Sequence, residues 1–193
     1  MTEEVRKIPV PLILPDEPPT QAEIDLVLLT VDALPGKLDR KDIVFILKGS
    51  RRSRALFNQW YKLETFGSMH HLNDYTIGQT VDWCIHDGWL QLVITPGGDI
   101  RVYFDKKGWE RNKEIWKERI LDWFETLAKE ERPEDVWPRM KPIHPEIKKM
   151  VLEDLATREG GRLAPVLRAW RAHEESEEIQ ARIDEILSSV EKA

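Results

Sequence analysis

The sequence predicts a mainly α fold with one small β-hairpin (α+β), and three observations predict it. Apolar residues recur at spacings of three and four along most of the chain, a single stretch between Trp89 and Phe104 switches to period two, and proline or glycine punctuates the helical segments. A chain of 193 residues suits one domain with appendages or two small ones. Its one cysteine, Cys84, excludes an intramolecular disulfide and fits a reducing compartment. No run approaches the roughly 18 apolar residues of a membrane helix, and no basic segment followed by a long apolar one opens the chain. A soluble cytoplasmic, nucleoid-associated protein is therefore expected.

Residues 1–19 contain Pro9, Pro11, Pro15, Pro18 and Pro19 and read as an extended arm whose Val10, Leu12, Ile13 and Leu14 pack on the body. Thr20 with Glu23 is a capping-box signature, and Ile24, Val27, Leu28, Val31 and Leu34 share one helical face until Pro35-Gly36. Asp39 is a cap for a second helix with Ile43, Ile46 and Leu47 inward. Ser50 is read as the cap of a third, which turns Leu56 and Trp60 to the core. After Phe66-Gly67, Asn73 or Asp74 opens a fourth helix lined by Ile77, Val81, Cys84 and Ile85, and Gly88 closes it.

Trp89–Ile94 and Asp99–Phe104, joined by Thr95-Pro96-Gly97-Gly98, then read as a hairpin with Ile100, Val102 and Phe104 on one face. Short helices ending in a hairpin describe a winged helix-turn-helix. A long helix from Lys107 follows, with Trp109, Trp116, Ile120, Trp123, Phe124 and Leu127 at helical spacing, which completes a domain over 20–132. Four prolines between Pro133 and Pro145 mark a linker. Residues 146–193 form a small helical module of three amphipathic helices, through Ile147, Met150, Val151 and Leu155, then Leu163, Val166, Leu167 and Trp170, then Ile179, Ile183, Leu187 and Val190.

Charge gives the first functional clue. The chain has 29 basic and 35 acidic residues, a formal charge of −6, so a surface for a polyanion must be local. Between Lys37 and Lys62 eight basic residues face only Asp39 and Asp42. At the centre of this stretch, Lys48, Arg51, Arg52 and Arg54 crowd the Gly49-Ser50 break, where the amides and dipole of a restarting helix would add to an anion site.

The ordered set Lys48-Gly49-Ser50, Arg54, Phe66-Gly67, the helix from Asp74 to His86, Gly88-Trp89-Leu90 and Lys106-Lys107-Gly108 resembles the RQC winged-helix domain at the C-terminal side of RecQ-family DNA helicases. The likeness covers about 23–110. It implies that residues after the Gly-Ser break, and one basic residue just after Phe-Gly, hold DNA phosphates. The expected DNA-binding set is thus Lys48, Gly49, Ser50, Arg51, Arg52, Arg54, His70, His71 and, on the wing, Arg101. His70 stands where the family often has lysine, and histidine is mostly uncharged at pH 7, so that contact should be weaker and strengthen on acidification. Several family members carry an aromatic or other wedge at the wing tip, whereas this tip ends in Gly97-Gly98, which puts active strand separation in doubt.

Other chemistry finds little support. The phosphate loop of a helicase motor is missing, since the only Gly-Lys, Gly36-Lys37, has Val31 where the first glycine belongs and Leu38 after it. One cysteine cannot build the family's zinc module. A stand-alone RQC module without catalytic residues, cofactor or metal is expected. His70-His71 with Cys84 and His86 is a poor metal set, because Cys84 and His86 point to different faces of one helix. Cys84, on the apolar face, reads as a small core residue and not as a nucleophile. The pairs Glu130-Glu131 and Glu174-Glu175 lie in solvated charge runs.

Three readings of function remain. A non-enzymatic protein that grips duplex or branched DNA by its backbone, in replication, repair or recombination, ranks first. A transcription regulator that reads sequence would have to use Tyr75, Thr76, Gln79 and Asp82, a meagre set for base edges. A protein-interaction module without DNA is the third, with Arg51 and Arg52 paired to the acidic tail. Under the first reading the C-terminal helices dimerise or recruit a partner through Leu163, Leu167 and Trp170, or cover the DNA face by mimicking phosphate with Glu174, Glu175, Glu177 and Glu178.

Overall fold

The structure is a computed structural model and describes residues 10–157 and 160–190. It divides into two compact units, Met1–Asn112 and Lys113–Ala193.

In the first unit, α1 (Gln21–Ala33) begins at Thr20 and α2 (Arg40–Lys48) at Asp39. Both starts are complete capping boxes, with Glu23 and Asp42 returning the bond to the cap backbone. Two amide donors that a helix start would leave bare are thereby satisfied at each end. A short α3 (Ser53–Phe57) and a 3-10 turn (Trp60–Lys62) lead to α4 (Asp74–His86), whose Thr76 amide donates to the Asn73 cap. Strands β1 (Leu90–Ile94) and β2 (Ile100–Phe104) pair antiparallel in the register Leu90 to Phe104 through Ile94 to Ile100. The core lies where α1, α2, α4 and the hairpin meet, and Val27, Leu28, Ile43, Ile46, Ile77, Val81 and Val102 are buried in it. The Val102 amide donates to the Leu38 carbonyl (2.9 Å) and ties the hairpin to the segment between α1 and α2. This is the mainly α winged helix that the periodicities predict.

The long helix α5 (Lys106–Lys129) leaves the hairpin, with Arg111 forked onto Asp25 (2.7 and 3.0 Å) and Asn112 donating to Asp32 (2.9 Å). The boundary between the units falls inside this helix, not in residues 133–145.

Those residues are not a free linker. They form a 3-10 turn (Pro133–Asp135) and α6 (Val136–Met140), and both Val136 and Met140 are buried. The prolines mislead because a proline without an amide hydrogen is as well placed in the first turn of a helix as in a linker. Pro133 opens the turn and Pro145 opens α7 (Pro145–Thr157). With α8 (Ala164–His173) and α9 (Glu177–Val190), α7 supplies the three C-terminal helices expected. Trp170 is buried against Phe124, ring centroids 5.8 Å apart, and Val166, Leu167, Ile179 and Ile183 complete this second core.

Other expectations need correction. Leu163, Leu167 and Trp170 are buried inside the second unit, so they are unavailable as a dimer surface. Glu174 is buried too and bonded to Lys148 and Trp170, so it cannot mimic a phosphate, although Glu175, Glu177 and Glu178 are exposed. Leu56, expected inside, is half exposed. The arm from Val10 to Pro19 is extended as expected, with residues 1–9 outside the described residues, but Ile13 and Leu14 stay largely exposed. Val10 and Leu12 are half-buried, and the backbone of Ile13 and Leu14 is bonded to Asp82 and Gln79. No helix among the described residues is long and apolar enough to cross a membrane.

Candidate nucleic-acid interface

The basic loop is built on a glycine crossing. Gly49 ends α2 in the left-handed conformation (φ 75°), and its position would place a Cβ 2.9 Å from the Gly67 Cα, so a side chain is excluded by space as well as by backbone. Around the crossing, the Gly67 and Met69 amides donate to the Ile46 and Leu47 carbonyls, each at 2.8 Å. The Gly-Ser and Phe-Gly motifs are therefore two halves of one contact. A second close approach locks the base of the wing. A Cβ on Gly108 would lie 1.9 Å from the Trp89 carbonyl oxygen, while the Asp105 amide donates to that same oxygen at 3.0 Å.

The structure separates the four cations of the loop. Lys48 turns inward, and its Nζ donates to the His70 (2.7 Å) and Leu72 (2.6 Å) carbonyls. Arg54 donates to Asp42 Oδ2 (2.7 Å) and lies 3.7 Å from Asp39. Arg52 stacks over Phe45, 4.5 Å from the ring centre. Arg51 is exposed and has no side-chain partner among the described residues. Lys48 and Arg54 are thus braces of the loop, and Arg51 and Arg52 are its outward charges.

Ser50 does not cap a helix. Its amide donates to the Phe45 carbonyl (2.9 Å) as part of the α2 terminus, and α3 starts only at Ser53, after Arg52, without a side-chain cap. The anion site of helix amides expected at Ser50 is absent, which leaves the arginine side chains as the loop's means of holding an anion. His70 Nδ1 donates to the Gly67 carbonyl (2.9 Å), and His71 meets the His70 ring edge-on at 5.9 Å. On the wing, Arg101 is paired with Asp99 (3.0 Å). Between α2, α4 and the wing lies an open groove of about 870 Å³, whose Arg40, Lys41, Arg52 and Arg101 are matched by Asp39, Asp74, Asp82 and Asp99. Balanced charge makes this groove a poor trap for a polyanion.

The arm covers the outward face of α4 at Gln79 and Asp82 and leaves Tyr75 60% exposed. Gln79 Nε2 donates to the Leu14 carbonyl (2.9 Å), the Ile13 amide donates to Asp82 Oδ2 (2.8 Å), and Arg40 pairs with Asp82 while Arg40 Nη1 reaches the Pro11 carbonyl (3.4 Å). Asp82, expected on an exposed reading face, is buried. Cys84 is fully buried as well, and burial pushes its thiol up to about 12, so no thiolate forms near neutral pH. Among the described residues no group of three or more His, Cys, Asp or Glu is placed to hold a metal.

Two residues escaped the sequence reading. Phe57 is 87% exposed and Tyr61 50% exposed, four positions apart and flanked by Arg54 and Lys62. Their signal was the run from Arg51 to Lys62, which contains four cations and no acidic residue.

Arg54 also has a structural role that can be measured. Burial raises the Asp42 carboxyl above its ordinary range, opposed by the Asp39 amide and the Arg54 guanidinium. Removing the guanidinium in Arg54→Ala leaves a buried carboxylate with one donor fewer, and about 2 kcal/mol of stability should be lost in urea unfolding at pH 7. An unfolding midpoint equal to wild type would show that Arg54 is not a brace.

Helices α1, α2 and α4, the hairpin and the clamped loop define a winged helix. The RQC domain family matches residues 20–117, just over half of the chain, and the protein belongs to that family. No curated protein and no solved structure matches it.

Proposed function

We propose that the protein binds DNA by its phosphate backbone through the loop from Gly49 to Arg54, as a non-enzymatic module of replication, repair or recombination. The observation that carries this reading is the pair Arg51 and Arg52, exposed on a loop held rigid by Lys48 and the Gly49–Gly67 crossing, in an acid-free run on a chain of net charge −6. A cationic patch retained against an acidic background concentrates a polyanion locally, and a rigid backbone lowers the entropy lost on binding. Ser50 lies within this loop, His70 is joined to it through Lys48 with His71 beside it, and Arg101 on the wing would join the backbone contact by exchanging its Asp99 partner for phosphate.

Sequence reading by α4 is disfavoured, because the arm already occupies Gln79 and Asp82. Contacts confined to phosphates specify position but not sequence. Fluorescence anisotropy of the full chain with blunt, forked and single-stranded DNA at two salt concentrations tests the proposal. Micromolar or tighter binding is expected, with a log–log salt slope of about −2 to −3 for two or three phosphate contacts and little change on scrambling the sequence. Absence of binding to all three DNAs at low salt would refute the proposal and leave a protein-interaction module.

A further inference from the structure

We infer that Phe57 and Tyr61 form a stacking platform for an unpaired nucleobase beside the phosphate-holding loop, an inference that rests on the DNA reading above. Leu56, Phe57 and Tyr61 are the large apolar side chains exposed on α3 and the following 3-10 turn, and Phe57 is 87% open to solvent. Single exposed apolar residues are common on protein surfaces, so exposure alone decides nothing. Here the exposed side chains fall within the short stretch from Leu56 to Tyr61, which spans the junction of α3 with the turn, and that junction is fixed. Trp60, between the two rings in sequence, is buried at 5% exposure. Asn58 Nδ2 donates to the Arg54 carbonyl (2.8 Å), Lys62 Nζ donates to Gln59 Oε1 (2.6 Å), and Gln59 takes a left-handed backbone (φ 56°) at the junction of α3 with the turn. A non-glycine residue in that region is strained, and here it sits at the turn that holds the two rings. Rings on a fixed support lose little freedom when something stacks on them.

The chemistry around the rings selects the occupant. From Arg51 to Lys62 there are four cations and no carboxylate, and Lys62 Nζ lies 6.0 Å from the Tyr61 ring centre. A basic protein segment would be repelled by this surface, whereas a polyanion with aromatic faces satisfies both of its properties. Aromatic rings with interleaved cations are the general means of holding single-stranded nucleic acid, through base stacking and phosphate attraction together. Inside a duplex each base face is covered by its neighbours, so the ring requires an unpaired base, as at an overhang, a fork or a gap. The wing tip Thr95-Pro96-Gly97-Gly98 has no ring to serve this purpose.

Anisotropy titrations of the full chain against a blunt duplex and the same duplex with a single-stranded overhang, for wild type, Phe57→Ala and Phe57→Trp, test the assignment. Phe57→Ala should weaken overhang binding about fivefold or more and leave blunt-duplex binding within about twofold, while Phe57→Trp retains the preference. A 2-aminopurine at the first unpaired position should be quenched by wild type and not by Phe57→Ala. Because Phe57 is exposed, the variant's thermal unfolding should match wild type, so a lost preference is not a folding defect. Equal loss on both DNAs, or no loss on the overhang, would overturn the platform and return this surface to a protein partner. Salt-sensitive binding that needs Arg51 but not Phe57 refutes the platform alone, whereas wild-type protein that binds neither DNA refutes the DNA reading with it.

Discussion

Reversing the two outward charges of the loop, in the double variant Arg51→Glu with Arg52→Glu, should weaken binding to every DNA tested by about tenfold to a hundredfold at low salt. Both residues are exposed, and neither anchors the fold: Arg51 has no side-chain partner among the described residues, and Arg52 only covers the Phe45 ring. Unfolding should therefore shift by no more than the roughly 1 kcal/mol of an exposed cation–π contact. The neutral control Arg51→Ala with Arg52→Ala isolates the contacts from repulsion. Each phosphate contact removed takes about one unit from the log–log salt slope, so the double alanine variant should flatten it by about two. Arg54 is left untouched by design, since its loss disturbs buried Asp42 and would confuse folding with binding. Unchanged affinity and slope in both variants would move the interface away from this loop.

How much was legible in the sequence depends on which atoms make each feature. The starts of α1 and α2 were readable because a capping box uses side chains three positions apart, and the hairpin because alternation is a side-chain pattern. The start of α3 was misread for the complementary reason. Ser50 has the right side chain for a cap, but its amide is already bonded to the Phe45 carbonyl once Gly49 turns left-handed, and that bond is invisible in residue types. The extended arm was readable from its prolines, but its docking on α4 was not, since the Ile13 amide and the Leu14 carbonyl are groups that any residue there would supply. The cations of the loop are legible in the sequence as a cluster around Gly49-Ser50. Their division into braces and outward charges depends on partners 12 to 24 positions away, which spacing within the loop cannot reveal.

Glu174→Ala should destabilise the second unit by about 3 to 5 kcal/mol, the loss expected when one member of a buried ion pair is removed. Glu174 Oε2 accepts from both Lys148 Nζ and Trp170 Nε1 at 2.8 Å, Oε1 accepts from the Glu175 and Ser176 amides at 3.1 Å, and the two charged side chains are only 8% and 4% exposed. The variant leaves the Lys148 ammonium beneath the Trp137 ring and a buried indole N–H without their acceptor. Apolar replacement of both partners, Lys148→Met with Glu174→Leu, should recover most of the loss, because it removes the charges along with their desolvation. The pair also sets a pH dependence. Burial alone would raise the Glu174 carboxyl, but the bonds from Lys148, Trp170 and the Ser176 amide outweigh it and hold the group below its ordinary range. A lowered folded-state pKa contributes stability that is complete above the unfolded value, about 4.3 for glutamate, and is lost as pH falls through the folded value. Wild-type unfolding midpoints should thus drop below about pH 4.5 more steeply than those of Glu174→Ala, so that the two curves converge in acid. Parallel curves, or equal stability at pH 7, would mean that Phe124, Leu167 and Trp170 hold this core without help from the buried charge.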